Sequence, residues 1–418
     1  MRRVLVRRSA TAFGIYLSVV LGTLSTIVAA RIFSKEIFGL FAVVVAATAF
    51  VQVLFDLTVE EALVKYGFRY IAQEDFGRLR QLYRSALLTK VAGAGLGAVG
   101  LLILAPFAGP VFGDGRLEVP LLIAAALPLG QSLEGLSGTA LFLRSRYDIR
   151  SLFLAWSMGL RLAAIAIGAH HGLRWTIVAM LAAQVLSTAS IGVAGRLALH
   201  RWPWAPRSPL GGDRRGIVSF VAQSSVATGV TSVRTWLTRL LLGIVTAPTQ
   251  VGFYQVAQAP QSGFQALSAP ARMVLLTEQT RDWEHGRQSQ VMRGVRRYTV
   301  LASALMVLAL PPLLVFMPDL IKLVYTSKYL AATNAARVFL GAAAVQFAVG
   351  WTKSFPVAVG RPNLRIWTHG IESLVILPLV VVLGRLYGAT GAAFAVLAGM
   401  CAFALAWAVI VSRIEVAE

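Results

Sequence analysis

Ala30-Arg31-Ile32-Phe33-Ser34-Lys35-Glu36-Ile37-Phe38-Gly39-Leu40-Phe41 closes one long apolar run and opens the next. Gly243-Ile244-Val245-Thr246-Ala247-Pro248-Thr249-Gln250-Val251-Gly252-Phe253-Tyr254 does the same in the second half of the chain. In register, Gly39 falls on Gly252, and Gln52 on Gln265. The later turns rhyme too: Gly172-Leu173-Arg174-Trp175 precedes the last run of the first half, and Gly388-Ala389-Thr390-Gly391 the last of the second. A helix needs about 20 mainly apolar residues to cross a bilayer. Working outward from these turns gives about twelve such stretches, at 9–33, 37–58, 82–107, 119–143, 151–169, 175–199, 217–245, 251–276, 298–317, 335–359, 366–386 and 389–411.

The composition agrees with that reading. Of the 418 residues 57% are hydrophobic and only 14% charged, and the mean hydropathy is +0.71. A soluble domain carries about 25% charged residues, so this chain lacks the polar surface of an ordinary soluble enzyme. Lys+Arg number 39 against 18 Asp+Glu, a formal net charge of +21. Such a balance would suggest nucleic acid, but the hydropathy sets it against a bilayer. Clusters of Arg and Lys fall at the start, at 65–84, 144–150, 196–215, 272–297 and 361–365, and at Arg413. With twelve spans these all lie on one side, about 26 basic residues against about 7 opposite; the positive-inside rule then puts both termini in the cytoplasm. No segment has the short apolar core and cleavage site of a leader peptide. Cys401 is the single cysteine, so a disulfide framework is excluded.

The expected architecture is an all-α polytopic membrane protein. About 12 transmembrane helices form two pseudo-symmetric six-helix lobes, 1–205 and 206–418, around a central cavity, divided by the proline-bearing linker 201–215. Both halves then start on the same side, as parallel repeats of alternating-access carriers do. Shared composition between apolar spans is the other source of such a repeat.

The stretch 30–41, followed by Asp56-Leu57-Thr58-Val59-Glu60-Glu61-Ala62-Leu63-Val64-Lys65, resembles the opening hairpin of the Wzx-type polysaccharide flippases. Phe33, Ser34 and Thr58 replace the Leu, Gly and Gly common there. Leu323 to Ala332, Gly360-Arg361-Pro362 and Tyr387 to Ala393 resemble later elements of the same family. The resemblance implies the multidrug/oligosaccharidyl-lipid/polysaccharide exporter fold. It also implies a carrier moving undecaprenyl-diphosphate-linked oligosaccharide from the inner to the outer leaflet, with membrane lipids and other polysaccharide-assembly membrane proteins as neighbours. A monomer is expected, with no cofactor, no metal and no nucleic acid.

Such a substrate asks for cations to meet the diphosphate and for neutral polar groups to meet the sugar. Arg161, Arg234 and Arg239 lie inside apolar spans, where a charge costs roughly 2.5–3.5 kcal/mol unless it meets a partner or water. Thr231, Thr235 and Thr238 recur on one helical face beside Arg234. Gln255, Gln258 and Gln265 form a second polar stripe, with Gln52 at the repeat position of Gln265 and Pro260 expected to bend the span. Helix-packing seams, or arginines reaching outward to the interface, are the plainer readings of these stripes. Asp56, Glu60, Glu61 and Arg272 fall at span ends, where opposite charges would make a gate; Glu61 and Lys65 also suit a local i,i+4 pair. Lys353 and Glu372 sit at similar depths and suit a neutralising pair, or else Glu372 with His369 is a proton-coupling site.

Two other functions are weighed. A multidrug exporter of cations would want carboxylates in the cavity, where this chain offers arginines and amides. A glycan polymerase, ligase or glycosyltransferase would need a catalytic acid constellation, and the outer loops hold none. His170-His171 lacks carboxylate or thiolate neighbours for a metal, and Walker, His-Glu-x-x-His and nucleophile-elbow motifs are absent. A non-enzymatic secondary transporter is the expectation.

Overall fold

The computed structural model describes the backbone of residues 2–267, 275, 278–279, 281–283, 285–361 and 363–416. Among these every regular element is helical. Hydrocarbon offers no hydrogen-bond partner, so a chain that crosses it must satisfy its own N–H and C=O groups within each helix.

Ten helical segments among the described residues are long and apolar enough to cross a membrane. They begin with α1 (Arg2–Ile32) and α2 (Lys35–Phe55), which meet at the Ser34 turn. Ser34 is extended (φ −63°, ψ 161°) and its hydroxyl accepts the Ile37 N–H at 3.2 Å, a side-chain cap on the first turn of α2. Ala247, the equivalent repeat position, has nearly the same backbone (φ −66°, ψ 148°) and begins α11 (Pro248–Ala257) with proline at its first position. The two quoted stretches thus make the same turn with different caps.

The expected count of twelve spans and the ten segments differ at two places. The expected eighth span is divided into α11 and α12 (Ala259–Leu267), separated at Gln258. Pro260, in the first turn of α12, has no N–H for the carbonyl four residues back, and the missing bond accompanies this interruption. At the other end, one 51-residue segment, Asn363–Arg413, covers two expected spans.

The chain divides into two compact units, 1–233 and 234–418. In the first, α3 (Val59–Ala72), α4 (Phe76–Leu104), α7 (Leu127–Leu143), α8 (Tyr147–Gly168) and α9 (Leu173–His200) follow, with shorter helices α5 (Ala108–Phe112) and α6 (Glu118–Ala124) between α4 and α7. Helix α1 packs along α8, α9 lies against α7 and α8, and α4 against α2, α3 and α7. The region 65–84, charged enough to suggest a loop, is mostly helical. Helix α3 buries Val59, Ala62, Leu63, Tyr66 and Tyr70 on one face, the 3–4 spacing of an amphipathic helix. Tyr70 donates to the Asp213 carboxylate at 2.9 Å. Burial, then this hydrogen bond, pushes its hydroxyl up to about 12.

Helix α10 (Asp213–Val245) carries the chain from the first unit into the second. There α13 (Gln288–Val315), α14 (Met317–Tyr325), α15 (Thr333–Ala348), α16 (Phe355–Ala358) and α17 (Asn363–Val416) follow α12. Helix α15 packs on α12, α13 and α17. Trp351, Phe355, Phe403 and Trp407 meet edge to face as a local core.

Helix α17 is two helices in line, interrupted at Gly388 (φ 58°, ψ −135°). Gln250, from the repeat turn, accepts the Ala389 N–H at 2.9 Å and occupies the place where a side chain at 388 would stand. At Gly391 a Cβ would collide with the Leu383 carbonyl. Gly391→Ala is therefore expected to lower the thermal midpoint of the purified protein by several degrees. This matches about 1–3 kcal/mol for forcing atoms into a packed site. Gly370→Ala, where a Cβ meets nothing within 4 Å, is the control and should leave it unchanged or slightly raised.

Candidate functional site

Each unit carries its own buried charge. In the second, Arg234 on α10 forms an ion pair with Glu372 on α17. Glu372 is completely buried, and its other carboxylate oxygen meets His369 Nδ1 at 2.8 Å, one turn away on the same helix. The His369 ring stacks on Phe403 at 4.9 Å between centroids. A fully buried carboxylate thus shares one arginine and one histidine, the histidine ring held against Phe403. Lys353, the partner suggested by depth, stands in the short turn Gly350–Lys353 that breaks the chain between α15 and α16.

One turn further along α10, Arg239 donates through Nη2 to the Gln258 amide oxygen at 2.7 Å and lies 4.6 Å from the centre of the Trp236 ring. No carboxylate pairs with it among the described residues. Gln258 is the residue at which α11 and α12 separate, so the same break that interrupts the helix presents this amide. Thr238 spends its hydroxyl on the Arg234 carbonyl at 2.8 Å, an intrahelical bond. Thr235 and Gln255 are half-buried; the side chains of Thr231 and Gln265, and the whole of Arg272, lie outside the described residues.

In the first unit, Arg161 is half-buried on α8 with no hydrogen-bond or ion-pair partner among the described residues, and Gln52 is half-buried on α2. The acids at the end of α2 and the start of α3 have partners within the unit. Lys90 on α4, only 2% exposed at its side chain, pairs with Asp56 and with Glu60, the latter at 2.6 Å. Glu61 accepts a hydrogen bond from Ser224, and Thr58 accepts one at its hydroxyl or donates it to Ser225, 3.2 Å away.

Sequence reasoning missed Lys90 and a second buried group, Glu134 on α7. Glu134 takes hydrogen bonds from Gln184 at 2.8 Å, Ser187 at 3.2 Å and Ser157 at 3.4 Å. Arg150, on α8, fills the space beside Gly138 and is within electrostatic reach of Glu134 and Glu60. The signal was present: Lys90 and Glu134 are lone charges inside apolar spans, the criterion that singled out Arg161. Asp56, Glu60, Glu134, Lys90 and Arg150 make a buried to half-buried set with one more acid than base. Lys90→Met leaves two carboxylates without their cation. Since these keep 30% and 27% side-chain exposure, the expected loss is about 3 kcal/mol, the low end for a broken buried pair. Adding Asp56→Asn and Glu60→Gln should recover most of it, measured by thermal unfolding in detergent.

No curated protein matches the chain. Among solved structures it is similar to an inward-facing multidrug resistance MATE family transporter of the MOP superfamily. The identity is 12% and the TM-score 0.72, over 94% of this chain and 95% of that one. It is also similar to the lipid II flippase MurJ in an inward closed conformation, at 13% identity and TM-score 0.68, over 95% and 86%. A third is a MOP superfamily transporter from Pyrococcus furiosus, described as having a binding pocket of reverse polarity, at 13% and 0.60 over 98% and 95%. At these identities the likeness establishes a shared transporter fold. In sequence, the family described as polysaccharide biosynthesis protein matches residues 8–276, well over half of the chain. The chain is a multi-pass membrane protein that belongs to this polysaccharide biosynthesis protein family.

Proposed function

We propose that the protein is a flippase that carries an undecaprenyl-diphosphate-linked oligosaccharide from the inner to the outer leaflet of a bacterial cytoplasmic membrane. The lobes 1–205 and 206–418, six spans each, alternate in access, and both termini lie in the cytoplasm. The observation that carries the substrate class is Arg239, an arginine within an apolar helix held, among the described residues, by an amide and an indole face. A cation so placed keeps its charge available for an anion entering from outside the fold. Arg161, unpaired among the described residues, supports the same reading. The family membership supports a glycan on the lipid, and the fold shared with a lipid II flippase supports a lipid carrier over an enzyme. A cationic drug would instead need free carboxylates: Glu372, Asp56 and Glu60 are each already paired with a base, and Glu134, held by three neutral donors, lies within electrostatic reach of Arg150.

In this reading the Arg234–Glu372–His369 set couples transport to protons. A diphosphate that takes Arg234 from Glu372 leaves a fully buried carboxylate without its cation, and a proton taken up with the substrate restores the lost positive charge. Uptake accompanies substrate binding and release follows its departure. The glycan is met by Gln52, Thr231, Thr235, Gln255, Gln258 and Gln265. At the span ends, Arg272 clasps one of Asp56, Glu60 and Glu61; Lys90 occupies the first two, which makes Glu61 the acid to test.

Transport of lipid-linked oligosaccharide into the outer leaflet of reconstituted vesicles is the direct test. Arg239→Ala and Arg234→Ala are expected to reduce the rate at least tenfold with folded protein still in the membrane, and Lys at either position to restore part of it. Full activity in both alanine variants would remove the proposed diphosphate site. An imposed pH gradient should change the wild-type rate and leave Glu372→Gln indifferent; a wild-type rate blind to the gradient removes the proton step. Reversing Glu61 and Arg272 together should restore activity lost in either single reversal.

A further inference from the structure

The first unit has a second cationic place, at its basic end and away from Arg161. The start of α4, the end of α9 and the segment after it enclose a cavity of about 460 Å³. Arg80, Arg84, Arg196 and Arg207 line it, with Trp202 and Trp204 among the other walls. Among the described residues none of the four arginines pairs with a carboxylate. Arg80 is fixed from two sides, donating to the Ala205 carbonyl at 2.9 Å and lying 5.3 Å from the centre of the Trp204 ring. Elsewhere at this end Asp213 is engaged by Tyr70 and Arg69, Asp75 by Arg78 and Ser208, and Asp148 by Arg146, and the exposed Glu74 lies outside the cavity lining. Four arginines around one space, with no acid among them, repel one another until an anion enters.

A second cavity, of about 480 Å³, shares Tyr83, Leu87, Arg196 and Leu199 with the first and runs along α4, α7 and α9. Its further walls include Leu133, Leu136, Gly192 and Val193. A Cβ added at Gly192 meets nothing within 4 Å, so this groove is open and not filled by the protein's own side chains. A guanidinium-lined pocket that continues into an apolar groove matches a phosphate joined to a hydrocarbon chain, since each half of such a molecule meets the surface it needs. Trp204, 78% exposed, and Trp202 are the aromatic type that settles at the depth of lipid headgroups.

We propose that this composite site binds one anionic phospholipid of the membrane. Its phosphate lies among Arg80, Arg84, Arg196 and Arg207, and an acyl chain lies along the α4–α7–α9 groove. The inference is independent of the carried substrate. A soluble anion would use the arginines and leave the groove empty, and a zwitterionic lipid would bring its own cation into an acid-free pocket. The occupant best matched to both halves is a lipid with net negative charge.

The test uses the full chain in nanodiscs of phosphatidylcholine with a trace of photoreactive phosphatidylglycerol, the labelled peptides being identified by mass spectrometry. Labelling is expected in 76–90 and 189–207, displaced by unlabelled phosphatidylglycerol and not by added phosphatidylcholine. The variant Arg80→Gln, Arg84→Gln, Arg196→Gln, Arg207→Gln should lose about tenfold of it. Gly192→Leu, which fills the groove and leaves every arginine, should lose a similar share while remaining monodisperse. Unchanged labelling in both variants overturns the proposal, as does equal displacement by phosphatidylcholine. Inorganic phosphate displacing as well as phosphatidylglycerol would reduce the site to a simple anion pocket and overturn the lipid assignment. Displacement by a polyprenyl diphosphate at a much lower concentration than phosphatidylglycerol would overturn it in favour of a carried lipid.

Discussion

A charge inside a membrane-crossing helix costs roughly 2.5–3.5 kcal/mol on insertion scales unless something meets it, and three of this chain's span cations are met in chemically different ways. Lys90 is consumed: two carboxylates close on one ammonium, and 2% exposure leaves no room for a third partner. Arg234 is shared, because Glu372 holds it with one oxygen and turns the other to His369. Arg239 is only solvated by neutral groups, an amide and an indole. The three states differ in what a newcomer would have to displace. An anion gains nothing at Lys90, must compete with a carboxylate at Arg234, and meets no rival charge at Arg239. Under the proposed function, partner type therefore separates the candidate binding cations in a way that depth and sequence spacing do not.

The same hydrocarbon constraint acts on the backbone, and it explains where the helices break. Each interruption has an identifiable cause. The missing N–H of Pro128 accompanies the break between α6 and α7, and that of Pro260 the break at Gln258; Gly388 supplies the positive φ within α17. A break frees peptide groups that a continuous helix would satisfy, and such groups are tolerated at membrane depth only against protein or water. At Gln258 the break and the polar function coincide, because the side chain at the interruption is the one that receives Arg239. At Gly388 the freed Ala389 N–H is taken by Gln250 from the repeat turn. A glutamine in the first turn of α11 thus closes the start of the last helix, a contact that no local pattern near Gly388 announces.

The helices, their number to within the divided segments, and the turns at Ser34 and Ala247 were legible because the bilayer leaves one solution for a run of twenty apolar residues. Amphipathic α3 was not, since its charges at Glu60, Glu61, Lys65 and Arg69 outweigh in a hydropathy reading the stripe of Val59, Leu63, Tyr66 and Tyr70 that it buries. Of the site, Arg234 with Glu372 and Arg239 with Gln258 were each recognisable as expensive residues. Their pairing was not, because it joins helices more than a hundred positions apart for the first and depends on the break at Gln258 for the second. Lys90 was missed for a different reason: it was read as part of an apolar span instead of as an exception within it. A lone charge in a span is informative whichever sign it has, and Glu134, held by three neutral donors, carries the same lesson.

The net charge of +21 therefore divides by partner as well as by position. Arg69 and Arg146 sit against acids and are locally neutral. Arg80, Arg84, Arg196 and Arg207 surround one cavity without an acid, although Asp75, Asp148 and Asp213 belong to the same end of the unit. Random placement of basic residues for topology would not keep the acids out of one pocket while pairing them outside it. Topology requires only that positive charge be on that side, and a scattered surface would serve. Concentrating unpaired arginines beside two tryptophans and an open apolar groove adds local repulsion that orientation does not need. In the proposed lipid site, anionic headgroups relieve this repulsion, each basic residue near them being favoured by about 1 kcal/mol.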